Sequence, residues 1–169
     1  MELMQALTTR RSIRKFEDRP VDRALVRQML AAAMMAPSAG NAQPWQFVVV
    51  DDRKVLDAAS EIHPYVKMAA RAPLGILVCG DLGLEKYPGY WAQDCSAAME
   101  NLLLAAHGLG LGAVWTGVHP MADREAGFRE LLGLPETVIP LGFAVLGWPA
   151  QAPASESRFR EDRVHFNTY

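Results

Sequence analysis

The sequence has 169 residues, half of them apolar, with 17 basic against 19 acidic side chains and a formal net charge of -2. That length builds one domain with a sizeable core, and the charge balance, with a pI of about 6.1, excludes a general nucleic-acid or membrane-surface footprint. No window is apolar for long enough to span a bilayer, MELMQALTTRR lacks the continuous apolar run of a signal peptide, and Cys79 and Cys95 make no disulfide framework, so a cytoplasmic protein is expected.

Residues 2–9 predict a short helix. The stretch TTRRSIRKF follows, with four cationic side chains in nine positions. FEDRPVD then turns the chain into a longer helix, with Asp22 as N-cap and Leu25, Val26, Met29, Leu30 and Ala33 on one face. Pro37 ends it, PSAGNAQP is a loop of small and polar residues, and QFVVV at 46–50 is a buried strand.

Residues 52–62 carry Val55, Leu56, Ala59 and Ile62 on one helical face, and LGILVCG at 74–80 is a second strand. From Tyr90 to His107 the residues Cys95, Ala98, Met99, Leu102, Leu103 and Ala106 keep the most sustained helical period, which predicts a central helix. Gly108 and Gly110 cap it, and GAVWTG at 112–117 is a third strand. A short helix spans Asp123 to Leu132, and VIPLGFAVLGW at 138–148 is a fourth strand whose Pro140 marks an edge or a bulge. The tail from 149 to 169 shows no core-facing period. The elements together make an α+β domain with one sheet.

HGLGLG carries the glycines of a dinucleotide fingerprint in the wrong context, because a helix precedes it and a strand follows. His63, His107, His119 and His165 show no ligand spacing among themselves or with the cysteines, so no metal is expected. Cys95 fits the apolar stripe of its helix and reads as structural rather than nucleophilic.

The cationic stretch carries more. In an extended segment Arg10, Ser12 and Arg14 share one side, with Arg11, Ile13 and Lys15 on the other. Two guanidinium forks and a hydroxyl on one side suit a phosphate; a solvated basic turn is the other reading of the same spacing. In PSAGNAQPW the side chains of Ser38, Asn41 and Gln43 offer donors and acceptors, and Ala39 and Gly40 allow close backbone approach to a flat ligand.

RRSIRKF, APSAGNAQPWQFVVV, DCSAAMENLLLAAHGLGLGAVWTG and RFREDRVH, in this order, resemble the FMN-dependent nitroreductase family over essentially the whole chain. The resemblance implies a three-layer α-β-α sandwich, a single domain over 1–169 with 149–169 as an extended arm, and an intertwined homodimer with FMN at the subunit interface. It implies that Arg10, Arg11, Ser12 and Arg14 hold the phosphate and the ribityl or ring edge, joined by Arg158 or Arg160 from the tail. Pro37, Ser38, Ala39 and Asn41 approach the flavin from the opposite subunit, Lys67 is a polar flavin contact, and backbone N–H groups of Thr116 and Gly117 face the ring. Where several members carry Pro-Ile-Glu-Gly this chain has Val114, Trp115, Thr116 and Gly117, which bears on substrate preference. The implied activity is NAD(P)H oxidation by a ping-pong route with nitroaromatic or quinone acceptors, the flavin rather than a side chain carrying the chemistry. A non-catalytic FMN sensor or store shares every binding residue and stands as the alternative.

Overall fold

Two aspartates start helices, Asp22 as its position predicts and Asp52 in the same manner. Asp22 accepts the Ala24 N–H at 2.6 Å and opens α2, Arg23–Ala33. Asp52 accepts from Lys54 and Val55 at 2.8 and 3.2 Å and opens α3, Arg53–Glu61. The computed structural model describes residues 1–169; α1 is Leu3–Thr9, α4 is Trp91–Gly108 and α5 is Ala122–Leu132. The strands are β1 Trp45–Val50, β2 Leu74–Asp81, β3 Gly112–Gly117 and β4 Val138–Gly147.

All strand pairs are antiparallel, in the order β1-β2-β4-β3. Strand alternation divides the interior in two. Trp45, Leu74, Ile76, Val78, Ala144 and Leu146 meet α2 and α4 on one face. Val50, Leu77, Cys79, Phe143 and Val145 meet Leu56 of α3 and Phe128 of α5 on the other. Helices therefore cover both faces of one sheet, the expected three-layer α-β-α sandwich. Helix α4 is the central one, burying Cys95, Ala98, Met99, Leu102, Leu103 and Ala106.

Pro140 lies at a bulge of an interior strand. Val78 stands opposite Gly142 and Cys79 opposite Pro140, so Leu141 is the extra residue. β3 ends opposite Gly142, which leaves the β3 flank of β4 unpaired by strand at Pro140. The Leu141 carbonyl instead accepts the N–H groups of Val118 and His119 at 3.2 and 3.0 Å.

The glycines after α4 act as a cap. Leu111 N–H bonds Ala106 O at 2.8 Å and Gly110 N–H bonds His107 O at 3.0 Å, with Gly110 at φ +81°, a Schellman ending. Gly112 serves a different need, since a Cβ there would lie 2.6 Å from the Ile13 side chain packed over it.

The 3₁₀ segments had no sequence forecast, and one of them is long. Pro64–Arg71 forms 3₁₀ turns, opened by His63, whose Nδ1 accepts the Tyr65 N–H at 3.3 Å. The tail beyond Gly147 carries only a 3₁₀ turn at Glu161–Arg163 and is exposed from Ala152 onward.

Candidate functional site

Past Thr9 the chain is extended and strapped to the sheet. Ser12 bridges Ala113 in parallel, Ile13 N–H donates to Ala113 O at 2.9 Å, and Phe16 bridges Pro149. Ala150 N–H donates to Lys15 O at 2.9 Å. Ile13 is the side chain of this strap that enters the core, which turns its neighbours in sequence outward.

The cationic residues then separate. Arg10 pairs through Nε with Glu100 Oε1 at 3.3 Å. Arg11 donates to the carbonyls of Ala154 and Glu156 at 3.3 and 3.0 Å and to Ser155 Oγ at 2.8 Å, and so clasps the start of the tail. Ser155 Oγ completes the clasp by donating to Thr8 O at 2.8 Å. Arg10, Arg11, Arg158 and Phe159 line one cavity of about 440 Å³. The Ser12 side chain is half-buried between the strap and β3. Arg160 instead holds Asp162 through Nε and Nη2 at 3.0 and 3.1 Å.

Arg14 lines a second cavity, of about 360 Å³, with Tyr65, Trp115, Thr116, Gly117 and Arg124. The strap occupies the outer edge of β3 only at Ala113, so beyond it alternate N–H groups of the strand point away from β4 and toward this cleft. The Thr116 side chain is turned inward, its hydroxyl donating to Phe143 O at 2.8 Å. Because Ala113 O and Gly117 O face away from β4, toward Ile13 N–H and Arg124, alternation turns the Thr116 backbone to β4 as well. The outward N–H groups at this end of the strand are those of Trp115 and Gly117. Arg124 Nη1 donates to Gly117 O at 2.8 Å and its guanidinium carbon stands 5.6 Å from the Tyr65 ring centre. Lys67 lines a cavity that also contains Arg14, with its ammonium on Glu61 Oε2 at 2.6 Å.

Pro37, Ser38, Ala39 and Asn41 lie away from both cationic cavities, beside the first turn of α4. Ala39 N–H donates to Asp94 Oδ1 at 2.9 Å, and Lys86 Nζ donates to Gly40 O at 2.6 Å. Gly40, Asn41 and Gln43 all take left-handed backbone, φ 58°, 54° and 51°. Ser38 Oγ accepts the Gln43 N–H at 3.0 Å and Asn41 Oδ1 accepts from Gln43 Nε2 at 3.1 Å. Asp94 is buried and its Oδ2 has no partner.

No side chain near the cleft is set up as a nucleophile. Burial pushes the thiols of Cys79 and Cys95 up to about 12, and Cys95 Sγ is spent on Cys79 O at 3.4 Å. Burial, then Arg124, holds the pKa of His63 below the usual histidine value, with Asp123 opposing. No group of three or more His, Cys, Asp or Glu side chains has a metal-binding arrangement, and no helix is long and apolar enough to cross a membrane.

Tyr65, Met68, Arg124, Glu100 and Asp94 are the site-forming residues that sequence reading missed. Arg124 and Tyr65 sit on α5 and a 3₁₀ segment, which meet only through the folded sheet. For Asp94 a signal existed, a carboxylate on the apolar face of α4, in helical register with Trp91, Cys95 and Ala98.

A single antiparallel sheet with helices on both faces and an open cationic cleft against its edge strand defines a three-layer α+β protein. Residues 7–66 and 59–148 match the model described as Nitroreductase family, and the chain belongs to the nitroreductase family. It is 50% identical over 169 residues to a Methanothermobacter thermautotrophicus protein provisionally named NADH dehydrogenase/NAD(P)H nitroreductase, covering 100% of this chain and 88% of that one. A similarly named protein of solved structure from Bacteroides thetaiotaomicron superposes with a TM-score of 0.95 at 40% identity, covering 99% of this chain and 98% of the other. A nitroreductase from Desulfovibrio desulfuricans, solved in complex with FMN, superposes at 0.86 with 31% identity, covering 100% and 98%.

Proposed function

We propose that this protein is an FMN-dependent NAD(P)H oxidoreductase whose flavin lies against β3, over the cleft lined by Arg14, Trp115, Thr116 and Gly117. The observation that carries this reading is the unpaired Arg14 guanidinium beside the outward backbone of an edge strand. Those are the donors a flat, anionic, carbonyl-bearing ring needs, and the residues present therefore fit the cofactor. Family membership and the FMN complex of a relative support it. Bound FMN supplies the chemistry of hydride transfer between nicotinamide and acceptor.

The chain's own residues bind and orient. Arg10, Arg11, Ser12 and Arg158, with Arg160 as the alternative tail cation, form the phosphate end. Arg11 already spends its guanidinium on the tail, so it holds the tail arginines near the phosphate as much as it holds the phosphate itself. Arg14, Lys67, Thr116 and Gly117 face the ring. The Thr116 hydroxyl stays on Phe143 O and its backbone faces β4, so Thr116 shapes the wall of the cleft while Gly117 presents the outward N–H.

Pro37, Ser38, Ala39 and Asn41 do not reach this cleft within one chain. Their distance supports a homodimer in which this loop covers the flavin of a second copy and the 149–169 arm of the single domain wraps the partner. Phe159, Phe166 and Tyr169 are exposed on that arm and supply the apolar surface for such a contact.

Reductant and acceptor take turns in the same open cleft, a ping-pong order, and flat electron-poor molecules such as nitroaromatics and quinones fit beside Trp115. Cytoplasmic work accords with the two reduced, buried cysteines. The testing experiment is anaerobic stopped-flow mixing of FMN-loaded protein with NADH and with NADPH. Bleaching of the flavin absorbance followed by recovery on adding a quinone is expected. FMN binding without bleaching by either nicotinamide would favour a sensor or storage protein instead.

A further inference from the structure

Arg14 and Met68 are shared by two adjoining cavities, the cleft at the end of β3 and a larger one of about 640 Å³ that also takes in Lys15, Phe16, Lys67 and Arg71. Four cationic side chains line the larger cavity and no carboxylate does. Lys67 is compensated by Glu61 at 2.6 Å. Arg14, Lys15 and Arg71 join no ion pair. In a chain of net charge -2, three uncompensated cations are thus gathered at one mouth. A recess lined by a single sign focuses potential and raises the local concentration of the opposite sign.

This charge exceeds what the phosphate of one FMN requires, because Arg10, Arg11 and Arg158 already form a separate cationic cavity. The surplus adjoins the cleft of Trp115, Thr116 and Gly117, with which it shares Arg14 and Met68. Phe16 and Met68 give the same recess an apolar wall, both packing against the second core.

We propose that Lys15 and Arg71, beside Arg14, form an anion subsite that takes a phosphate of the nicotinamide dinucleotide while its reactive ring occupies the β3 cleft. The inference rests on the oxidoreductase reading above. The recognising chemistry is a phosphate dianion or pyrophosphate met by an ammonium and guanidinium forks. Two groups on the dinucleotide supply it, the pyrophosphate common to NADH and NADPH and the 2′-phosphate of NADPH alone.

The test uses the full-length, FMN-loaded protein and the exposed-site variants Lys15→Gln, Arg71→Gln and their combination. Stopped-flow reduction is followed against concentration of each nicotinamide, and calorimetric titration with NAD+ and NADP+ reads affinity independently of turnover. Each single variant is expected to raise the half-saturating concentration by about tenfold while retaining the limiting rate of reduction. The FMN dissociation constant should stay as it was, and added salt should erode the difference. Weakening confined to NADPH and NADP+ identifies the 2′-phosphate, and equal weakening of both pairs identifies the pyrophosphate. Unchanged affinities for all four overturn the subsite, as does a rise in the FMN dissociation constant in the same variants, which assigns the cluster to the flavin. Failure of the unaltered protein to be reduced by either nicotinamide counts against the oxidoreductase reading alone, since the calorimetric comparison still decides the subsite.

Discussion

Gly142 lies beneath the indole of Trp115, so close that a Cβ built on it would come within 2.2 Å of Nε1. The two strands make this unavoidable, because Trp115 pairs with Ala144 and its ring leans along β4 to cover the next position on the same face. Gly142→Ala is therefore expected to lift the ring toward solvent, at a cost of about 1 to 3 kcal/mol from overpacking. A red-shifted tryptophan emission with a lowered urea midpoint is the expected reading. Unchanged emission and stability would show that the indole has room to spare.

Arg14 is the guanidinium of the strap that neither Glu100 nor the tail occupies. Replacing it by Ala should weaken FMN binding by about 1 to 3 kcal/mol, the loss of one charge-assisted contact to an anionic ligand. Fluorescence titration of apoprotein with FMN measures this directly. A dissociation constant equal to that of the unaltered chain places the flavin elsewhere.

Asp94 anchors the 37–43 loop from beneath. Its Oδ1 takes the Ala39 N–H, and three left-handed residues follow within four positions. Asp94→Ala leaves that N–H without its acceptor and should cost about 1 to 3 kcal/mol. Hydrogen exchange should quicken at Ala39 to Gln43 while β1 stays protected. Uniform loss of protection across the sheet would instead mark a general destabilisation.

Stability should fall in mild acid. Burial, then Arg124, lowers the pKa of His63; burial, then Arg10 and Arg11, lowers that of His107. Above about 6.5 both are neutral in the folded and unfolded chain alike and contribute nothing. Below that value the unfolded chain binds protons first, so stability drops as pH falls and levels off once the folded histidines also titrate. Urea midpoints at about pH 7.5 and about pH 5.5 should differ, and the difference should shrink in a His63→Asn, His107→Asn double variant. A double variant with the full original slope would move the effect to other groups.

The sheet could be read almost to the residue where sequence marks both strand ends. GAVWTG is entered through two glycines with separate jobs, Gly110 ending a helix and Gly112 admitting Ile13. The start of α2 was legible through Asp22, whose side chain caps locally, while the same cap by Asp52 on α3 emerged only in the structure. The 64–71 segment escaped because its buried residues, Val66 and Ala69, are three apart, the spacing of a tighter helix rather than of an α-helix. For the site, alternation along TTRRSIRKF separated Arg14 from Arg11, but the partners of each lay out of reach of any local rule. Arg11 meets residues 143 to 145 positions away. Arg124 comes to the cleft only because α5 packs against β4, the strand beside that edge.

The clasp of Arg11 on Ala154, Ser155 and Glu156 fixes the point from which the last part of the chain swings. From that pivot to Tyr169 a fully stretched chain reaches roughly 45 Å, so its tip explores a small volume at an effective concentration on the order of millimolar. The arm is a leash of set length. A weak dock for Phe159 or Phe166 within that radius is thereby occupied without strong intrinsic affinity. Cutting the leash at its knot, through Arg11→Ala, should loosen the arm more than trimming its final residues does.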